Sequence, residues 1–561
     1  MARGQRAYGK TACRIAATTA WYRRCFRHLL RKRTTRSLVR PSFEQRFNAL
    51  CAADATVLAG GRKGIEKEAL RVDSEGYLSH TAHPAALGSA LTNAYITTDF
   101  SEALLEFITP AFSSTWEALQ FLCDVQQFTY QRLGDELLWG ASMPCRIPAD
   151  ASIPLARYGS SNVGQMKTIY RRGLGYRYGR SMQTIAGVHF NYSLPESFWP
   201  VYQRVMGADA DATAFRSAQY LALIRNFRRF GWLLLYLFGA SPAMCKSFGA
   251  SVEMPSLNPE TWFEPYGTSL RMSDLGYSNK NQSSINISLN DLDSYVRDLS
   301  EAIETPEPEF QKIGVKVDGV YRQLSINRLQ IENEYYSSIR PKRVAMSGER
   351  PTAALRRGGI EYVEVRSLDI SIDDPAGINQ NTMRFIEAFL IYCLMEDSPH
   401  FDDAGLDETK RNQTETAKRG RDPAFRLKRG GEDVPLADWA SAIVQNVQRI
   451  AEAIDAQEGC DGYLQAVRQV QHLIEKPSAT PSARVLDQLQ QTNSGFFDFA
   501  LAVAIGHRDY FASITPLSAA RDAQFADEAV ESLQRQRDVE AADTISFDQY
   551  LKDYFSSANG R

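Results

Sequence analysis

The chain of 561 residues lacks paired cysteines and long apolar runs. Its eight cysteines are scattered and none belongs to a C-x-x-C pair, which argues against a disulfide framework and against a zinc site. The longest apolar candidate, residues 232–240, is far shorter than the ~20 residues of a membrane span, so we expect it in the core. The sequence therefore predicts a reducing compartment, the cytoplasm, and no membrane association.

Glycine-rich phosphate loops are also missing. Neither G-x-x-x-x-G-K-[ST] nor a G-x-G-x-x-G after a strand occurs. A nucleotide would then be held by metal ions and side chains instead of by the start of a helix. Because there is no G-x-S-x-G elbow and no local signature of a catalytic cysteine, acyl-enzyme chemistry is disfavoured.

Acidic residues are absent from residues 1–40, which contain twelve Lys or Arg, although the whole chain has a net charge of −2. Removing these twelve positive charges leaves about −14, so a basic arm precedes an acidic body. We interpret residues 1–43 as a basic extension that is either disordered or the product of a wrongly assigned start codon. A transit peptide, a nucleic-acid-binding arm and a membrane anchor are the weaker alternatives, and we expect no nucleic-acid partner.

Hydrophobic patterning divides the body into a sheet-rich part, residues 44–375, and a mainly helical part, residues 376–561. Strand patterns in the first part include residues 186–194, 283–289 and 360–368. Helical patterns include residues 116–137, 212–239, 379–395 and 525–555. Residues 400–434 are polar and rich in turn formers, which predicts a long exposed loop. No linker divides residues 44–561, so we predict one α+β unit whose mostly antiparallel sheet is open to ligand on one face.

Three strand patterns carry chemically active side chains at every second position, and a neighbouring segment adds more acids. Alternate residues of a strand project from the same face of the sheet. The residues concerned are Glu66, Glu68, His189, Asn191, Glu364 and Arg366 in the strands, and Asp99, Glu102 and Glu106 in the neighbouring segment. For any single strand, a solvated polar face is the ordinary explanation.

Carboxylates that share one face need a neutralising partner, because like charges at close range raise each other's pKa. Mg²⁺ binds carboxylate oxygens and keeps its remaining positions for phosphates and water. Arginine recognises phosphate as a bidentate donor. The pattern therefore predicts a magnesium–nucleotide site on one face of an antiparallel sheet.

Three further segments are rich in tyrosine and arginine, and we predict them as loops. They lie at residues 165–179, 269–282 and 329–343. Tyrosines in such segments often serve only in packing. Together they could instead line a pocket for a small polar substrate. The candidate residues are Tyr170, Arg271, Tyr277, Asn333, Tyr335, Tyr336 and Arg340.

Several long motifs resemble the proteobacterial type of glutamate–cysteine ligase. They are ITTDFSEALLEFITP, IPLARYGSSNVGQMKTIYRRGL, GVHFNYSLP, SLRMSDLGY and RGGIEYVEVRSLDI. The resemblance runs from about residue 50 to 400 and continues more loosely beyond. It implies a catalytic domain like that of glutamine synthetase, in which a curved antiparallel sheet forms a funnel flanked by helices.

The resemblance also implies an activity, the ATP-dependent joining of the glutamate γ-carboxylate to the cysteine amine through a γ-glutamyl phosphate. This reaction is the first step of glutathione synthesis. The implied metal ligands, for Mg²⁺ or alternatively Mn²⁺, are Glu66, Glu68, Asp99, Glu106, His189 and Glu364. Arg366 matches the residue that steadies the transferred phosphate, and Asn191 matches a nucleotide or phosphate contact. The implied cysteine pocket comprises Tyr170, Tyr277 and Tyr336, with Arg271 beside it.

Two other functions remain open at this stage. A related carboxylate–amine ligase could use the same sheet chemistry with another amine, in which case only the tyrosine pocket would differ. A nucleotide-responsive binding protein without catalysis is the second alternative, and the presence of all the acids and of Arg366 argues against it. For the ligase we expect small-molecule partners (glutamate, cysteine and ATP) and a monomer.

Overall fold

The structure is a computed structural model that describes residues 42–144, 146–147, 149–248, 253–275, 282, 285–346 and 348–556. Residues 1–41 of the predicted basic extension lie outside the described residues, and so does Tyr277. Among the described residues, no helix is both long enough and apolar enough to span a membrane.

The described residues alternate strands and helices in the first part and are mainly helical in the second. The strands are β1 (Arg62–Val72), β2 (Ile96–Thr98), β3 (Leu104–Ile108), β4 (Leu137–Leu138), β5 (Val188–Ser193), β6 (Ala243–Cys245), β7 (Ser256–Asn258), β8 (Thr261–Phe263), β9 (Lys316–Val317), β10 (Val320–Tyr321), β11 (Ile339–Lys342), β12 (Tyr362–Leu368), β13 (Arg426–Arg429) and β14 (Glu432–Pro435). The helices are α1 (Phe43–Asp54), α2 (Thr115–Tyr130), α3 (Asn162–Tyr178), α4 (Phe198–Val205), α5 (Ala212–Phe230), α6 (Trp232–Phe238), α7 (Leu292–Glu304), α8 (Pro308–Ile313), α9 (Pro351–Gly358), α10 (Gln380–Met395), α11 (Asp403–Arg419), α12 (Leu436–Glu458), α13 (Gly462–Glu475), α14 (Pro481–Thr492), α15 (Phe496–Ser513), α16 (Ala519–Ala542) and α17 (Phe547–Ser556).

A seven-stranded sheet organises the fold. Its order is β11-β12-β5-β1-β3-β2, with β4 paired to the far end of β1. Every pairing within it is antiparallel. The predicted mixture of helices with an antiparallel sheet is therefore confirmed. The long central strand β1 pairs with β3 and β5, so side chains from five strands can meet around its middle.

One face of the sheet packs against helices and contains two buried lysines of β1. The Lys63 ammonium forms a 2.8 Å ion pair with Glu387 of α10, and both side chains are inaccessible to solvent. Lys67 donates hydrogen bonds to Gln126 of α2 and to the carbonyl oxygen of Pro375. Because side chains alternate along a strand, Glu66 and Glu68 project from the opposite face.

The second part of the chain is a helical layer built on α10. This helix is buried along most of its length, and α12 and α13 pack against it. The predicted helices at residues 379–395 and 525–555 are confirmed, the latter as α16 and α17. The apolar run at residues 232–240 is core, because α6 is buried along most of its length.

The predicted loop at residues 400–434 is wrong for most of its length. Asp402 caps the N-terminus of α11 by accepting a hydrogen bond from Gly405, and a β13–β14 hairpin follows. The buried positions of α11 are Thr409, Asn412, Thr416 and Ala417. The helix escapes notice because it turns small and polar residues inward instead of an apolar stripe.

Three other expectations need correction. Residues 165–179 belong to helix α3 and not to a loop. Residues 285–289 form no strand; Arg225 binds the carbonyl oxygen of Leu289, and Asp298 accepts from the amide of Ser288, so side chains take the place of a neighbouring strand. Helix α2 ends at Tyr130, seven residues early, because the chain turns at Gly134 (φ 63°) to form β4.

Candidate active site

Polar side chains of five neighbouring strands lie on the exposed face of the sheet. The antiparallel register places His189 opposite Glu66, Glu106 opposite Glu68, and Asn191 opposite Glu364. Arg340 of β11 is in turn opposite Glu364. The structure thus brings together on one face the residues that alternation in separate strands had predicted.

Glu66 is held by two neighbours from β5. Its Oε2 lies 3.0 Å from Nδ1 of His189, and its Oε1 accepts a 2.9 Å hydrogen bond from the Asn191 amide. The Nε2 of His189 lies 3.7 Å from Oε1 of Glu68. The other oxygen of Glu68 accepts a 2.7 Å hydrogen bond from the backbone N–H of Gly187.

Glu364 is a buried carboxylate flanked by cations. Its Oε1 lies 3.2 Å from a guanidinium nitrogen of Arg366 and 3.4 Å from the ammonium of Lys342. The field of Lys342 and then of Arg366 outweighs the cost of burial and holds the pKa of Glu364 well below its usual range. This carboxylate is therefore ionised at neutral pH.

The pKa values of the three other central carboxyl groups shift in different directions. Burial opposes ionisation of Glu66, but the hydrogen bond and charge of His189 outweigh it, and the pKa of Glu66 falls. Burial raises the pKa of Glu68. Burial, and then the charges of Glu66 and Asp99, raise the pKa of Glu106 well above its usual value. Packing all these acids on one face is costly without a cation.

The residues fit a divalent cation. Single ligand atoms of Glu66, His189 and Glu364 lie within 4.8 Å of one another. Oε2 of Glu364 and Nε2 of His189 are buried and have no hydrogen-bond partner among the described residues. Buried polar atoms without partners are uncommon and call for an explanation. A metal ion supplies one, since both atoms are metal ligands by chemistry.

A cavity of about 180 Å³ adjoins this cluster. Its lining includes five of the predicted site residues, which are Glu68, Asp99, Tyr170, Tyr336 and Arg366. Asp99 lies at the edge, half exposed, with a carboxylate oxygen 3.9 Å from the guanidinium of Arg171. Asn333 and Arg340, from the tyrosine-rich segments, also line it.

Arg271, predicted to lie beside the cysteine pocket, contacts the segment 366–369. The side chain is fully buried and is not among the residues that line the cavity. Its guanidinium donates a 2.9 Å hydrogen bond to the carbonyl oxygen of Arg366 and lies 3.9 Å from Asp369. Arg271 therefore supports the strand that carries Arg366.

Sequence reasoning missed a buried network beside the cavity. Glu334 forms a 2.8 Å ion pair with Arg177, and both side chains have no exposed surface. The same carboxylate accepts a 2.6 Å hydrogen bond from the hydroxyl of Tyr178. Gln282 donates to the carbonyl oxygen of Glu334 and accepts from the amide of Tyr336. No local sequence motif predicts these contacts, because the partners are far apart in the sequence.

A second cavity, of about 300 Å³, lies on the other side of Arg340 and Asn333. Its lining includes Lys342 and Arg343 together with the rings of Tyr295 and Tyr362. Lys342 was also missed, because a lysine at the end of a strand is an ordinary solvated residue in a sequence. Two cavities thus adjoin the same strand pair, the first lined by acids, arginines and tyrosines and the second by basic and aromatic side chains.

A face of carboxylates, imidazole and guanidinium groups beside two cavities is typical of enzymes that use metal ions to act on phosphate. The family model described as glutamate–cysteine ligase matches residues 48–416. The chain belongs to the glutamate–cysteine ligase family.

Comparison with individual relatives supports the same family assignment. A glutamate–cysteine ligase of Alcanivorax borkumensis is 50% identical over 520 residues, which cover 91% of this chain and 99% of the relative. The enzyme of Pseudomonas putida is 46% identical over 511 residues, covering 91% and 97%. The crystal structure of the Francisella tularensis glutamate–cysteine ligase in complex with AMP has a TM-score of 0.84 at 36% identity and covers 90% of this chain and 99% of that one. The predicted activity, ATP-dependent formation of γ-glutamylcysteine for glutathione synthesis, is confirmed.

Proposed function

We propose that the acidic face of the sheet is the site at which this chain activates glutamate with ATP and joins it to cysteine. The observation that carries the proposal is the meeting of Glu66, His189, Glu364 and Arg366 on one face. Two of the possible metal-ligand atoms there have no hydrogen-bond partner among the described residues. Family membership identifies the reaction, and this cluster is the proposed site of that reaction.

Glu66, His189 and Glu364 would hold one Mg²⁺, or Mn²⁺, which neutralises phosphate charge and polarises the phosphoryl group. Glu68, Glu106 and Asp99 continue the acidic surface and are the proposed ligands of further metal ions. The imidazole of His189 is oriented by Glu66: Nδ1 faces Glu66 and Glu364, and Nε2 faces Glu68.

Arg366 is the proposed phosphate-binding residue. It projects from β12 between the acids and the tyrosine-lined cavity, which it also lines. A guanidinium there can donate hydrogen bonds to the oxygens of the phosphoryl group while that group is being transferred.

In the first step of the proposed reaction, a glutamate γ-carboxylate oxygen attacks the γ-phosphorus of ATP, the bond to ADP breaks, and γ-glutamyl phosphate forms. In the second step, the cysteine amine attacks the γ-carbonyl carbon, phosphate departs, and the amine proton is released.

The cysteine would bind in the cavity lined by Tyr170 and Tyr336. Burial raises the pKa of Tyr170, so its hydroxyl stays protonated and can donate a hydrogen bond. Tyr277 is proposed for the same pocket on the family resemblance alone. Arg271 is proposed to act from behind, through its contact with the Arg366 backbone.

The nucleotide would occupy the cavity that contains Lys342, Arg343 and Tyr362, since basic and aromatic side chains suit phosphates and a base. The Francisella relative binds AMP, which supports a nucleotide site in this chain. Asn191 donates to Glu66, so its buried oxygen is left to accept. We therefore assign Asn191 to a ribose hydroxyl or a metal-bound water, and not to a phosphate.

We further propose a sheet curved into a funnel like that of glutamine synthetase. The irregular register between β12 and β5, from Val365 to Leu368, supports this because bulges bend strands. Residues 44–561 would act as one unit in two parts divided near residue 375, with residues 1–43 as an extension. A cytoplasmic monomer agrees with the free thiols of Cys51, Cys123, Cys245, Cys393 and Cys460 among the described cysteines.

ADP release tests the proposal. Purified protein receives Mg²⁺, ATP and glutamate, followed by cysteine, 2-aminobutyrate or ammonia. We expect release that depends on cysteine, with 2-aminobutyrate as a poorer substitute. Release with ammonia alone would keep the sheet chemistry but replace cysteine as the substrate, and no release with any amine would contradict the proposal.

A further inference from the structure

A third cavity, of about 440 Å³, gathers arginines outside the site described above. Arg157, Arg172 and Arg180 come from three different segments and all line it, together with His80 and Glu102. Within the part of the chain that the structure describes, no carboxylate lies within ion-pair distance of these three guanidinium groups. Three like charges around one space repel each other and favour an anion.

Two of the three guanidinium groups are anchored. Arg180 donates a 2.9 Å hydrogen bond to the carbonyl oxygen of Ile153, and Arg172 donates a 2.7 Å bond to that of Tyr321. Most of their N–H donors nevertheless stay available. The half-exposed to exposed positions of these side chains leave the cavity open to a solute.

The only acid among the lining residues is already occupied. Glu102 is buried, and its two oxygens accept hydrogen bonds of 3.0 Å and 2.8 Å from the backbone N–H groups of His83 and Arg157. Its charge reduces the excess from three positive charges to about two. A phosphate monoester carries about −1.5 to −2 near neutral pH, which matches that excess.

We propose that this cavity, here called the arginine cavity, binds a small phosphorylated molecule. A guanidinium group can donate two parallel hydrogen bonds to the oxygens of one phosphate, and here such groups approach from separate segments. The volume exceeds what a phosphate ion alone needs, so the organic part of an ester has room. The arginine cavity lies beside the active-site cavity: α3 supplies Thr168 and Arg172 to the former, and Tyr170 and Arg171 to the latter.

The test is isothermal titration calorimetry on the full chain with EDTA and without ATP, so that metal-dependent phosphate binding is suppressed. The probes are glucose 6-phosphate, inorganic phosphate and glucose. We expect glucose 6-phosphate to bind more tightly than inorganic phosphate, and glucose not to bind. Equal affinity for the two phosphates would instead identify free phosphate as the occupant and overturn the assignment to an ester.

Variants locate the binding. Arg157→Gln removes an exposed guanidinium that makes no hydrogen bond to the residues that the structure describes, so we expect the protein to stay folded and to bind about tenfold more weakly. Arg157→Gln/Arg172→Gln should abolish measurable binding. Arg204→Gln, an exposed arginine of α4 outside the cavity, and Arg366→Gln in the active site should both keep it. Full affinity in the double variant, loss in Arg366→Gln, or no binding to the unaltered chain would overturn the proposal.

Discussion

Individual residues of the acidic face suit the binding of a further cation, as proposed above. Glu364 is ionised and buried, yet one of its oxygens lacks a partner among the described residues. Glu106 carries a pKa pushed upward by burial and by neighbouring acids. A ligand that binds only the folded state stabilises it by mass action, so metal binding must appear as a gain in stability.

Mg²⁺ is therefore expected to raise the melting temperature of the unaltered chain. At one hundred times the dissociation constant the gain in unfolding free energy is about 2.7 kcal/mol. Glu364→Gln should remove most of this shift, whereas Glu301→Gln on the exposed side of α7 should keep it. Differential scanning calorimetry with and without Mg²⁺ measures both. An equal shift in Glu364→Gln would remove this residue from the metal site.

Arg366→Lys is expected to lower kcat by about 10² to 10³. Lysine keeps the charge but not the planar fork that donates to several oxygens of one phosphate. The melting temperature should stay close to that of the unaltered chain, because the residue borders a cavity. Steady-state measurement of kcat tests this prediction, with Arg356→Lys on the surface of α9 as the control. Near-normal turnover would argue against a phosphate role.

Alternation within strands predicted which residues share the acidic face, because the two-residue period fixes the side on which a carboxylate projects. It could not predict the distance between Glu364 and Lys342, which depends on how β11 and β12 align. Nor could it separate Arg271, which is buried, from the arginines that line cavities. Both outcomes depend on pairings between segments far apart in the chain.

At the scale of elements, α3 shows why helices can hide in a sequence. Its buried positions include Met166, Ile169, Gly173 and Arg177, a helical spacing in which only two members are apolar. Gly173 leaves room for the amide end of the Gln330 side chain, which would have to shift if a Cβ were added there. The buried Arg177 is tolerated because Glu334 neutralises it. Hydrophobic periodicity alone does not detect such a helix.

The same ion pair should govern the cysteine pocket, because the Glu334 carboxylate holds the Tyr178 hydroxyl. That hydroxyl accepts a hydrogen bond from Gln282, whose side-chain oxygen in turn accepts from the backbone N–H of Tyr336. We expect Glu334→Gln to raise the KM for cysteine about tenfold, corresponding to about 1.4 kcal/mol, while the KM for ATP stays unchanged. Tyr178→Phe removes only one hydrogen bond and should give a smaller increase in the same direction. Initial rates at varied cysteine and at varied ATP measure the split.

Glu332→Gln is the matched control for this prediction. Glu332 is also buried and forms a 2.9 Å ion pair, with Arg350. Its carboxylate also accepts a hydrogen bond from Thr352, and it lines the second cavity instead of the tyrosine-lined one. Breaking either buried pair costs about 3–5 kcal/mol of stability. Equal effects of the two variants on the KM for cysteine would reduce Glu334 to a general stabilising residue.

The whole molecule combines an open acidic face with a closed helical side. On the closed side, β1 meets α10 through the buried Lys63–Glu387 pair, and the hydroxyl of Tyr463 in α13 donates to Glu387. The sequence predicted a sheet-rich part and a helical part, but not that a buried ion pair would join them. From the sequence alone, a charged residue in a strand is assigned to the solvent-exposed face, because its packing partner is not known.

Buried histidines should make the stability of the whole chain fall in acid. Burial lowers the pKa of His83 and of His507 to about 4 in the folded state, below the usual 6.5. Between these values the unfolded chain binds protons that the folded chain does not, so stability is complete above pH ~6.5 and decreases as the pH falls toward 4. Each histidine contributes a slope of about 1.4 kcal/mol per pH unit.

His507→Gln is expected to flatten this acid-side decrease by one proton. The ring nitrogen Nε2 lies 3.0 Å from the carbonyl oxygen of Ile372, so glutamine loses some stability at neutral pH and the slope is the informative quantity. Urea unfolding at several pH values between 4 and 7 gives that slope for the unaltered chain and the variant. His472→Gln, on an exposed histidine of α13, is the control and should leave the slope unchanged. An unaltered slope in His507→Gln would mean that His507 already binds its proton in the folded protein.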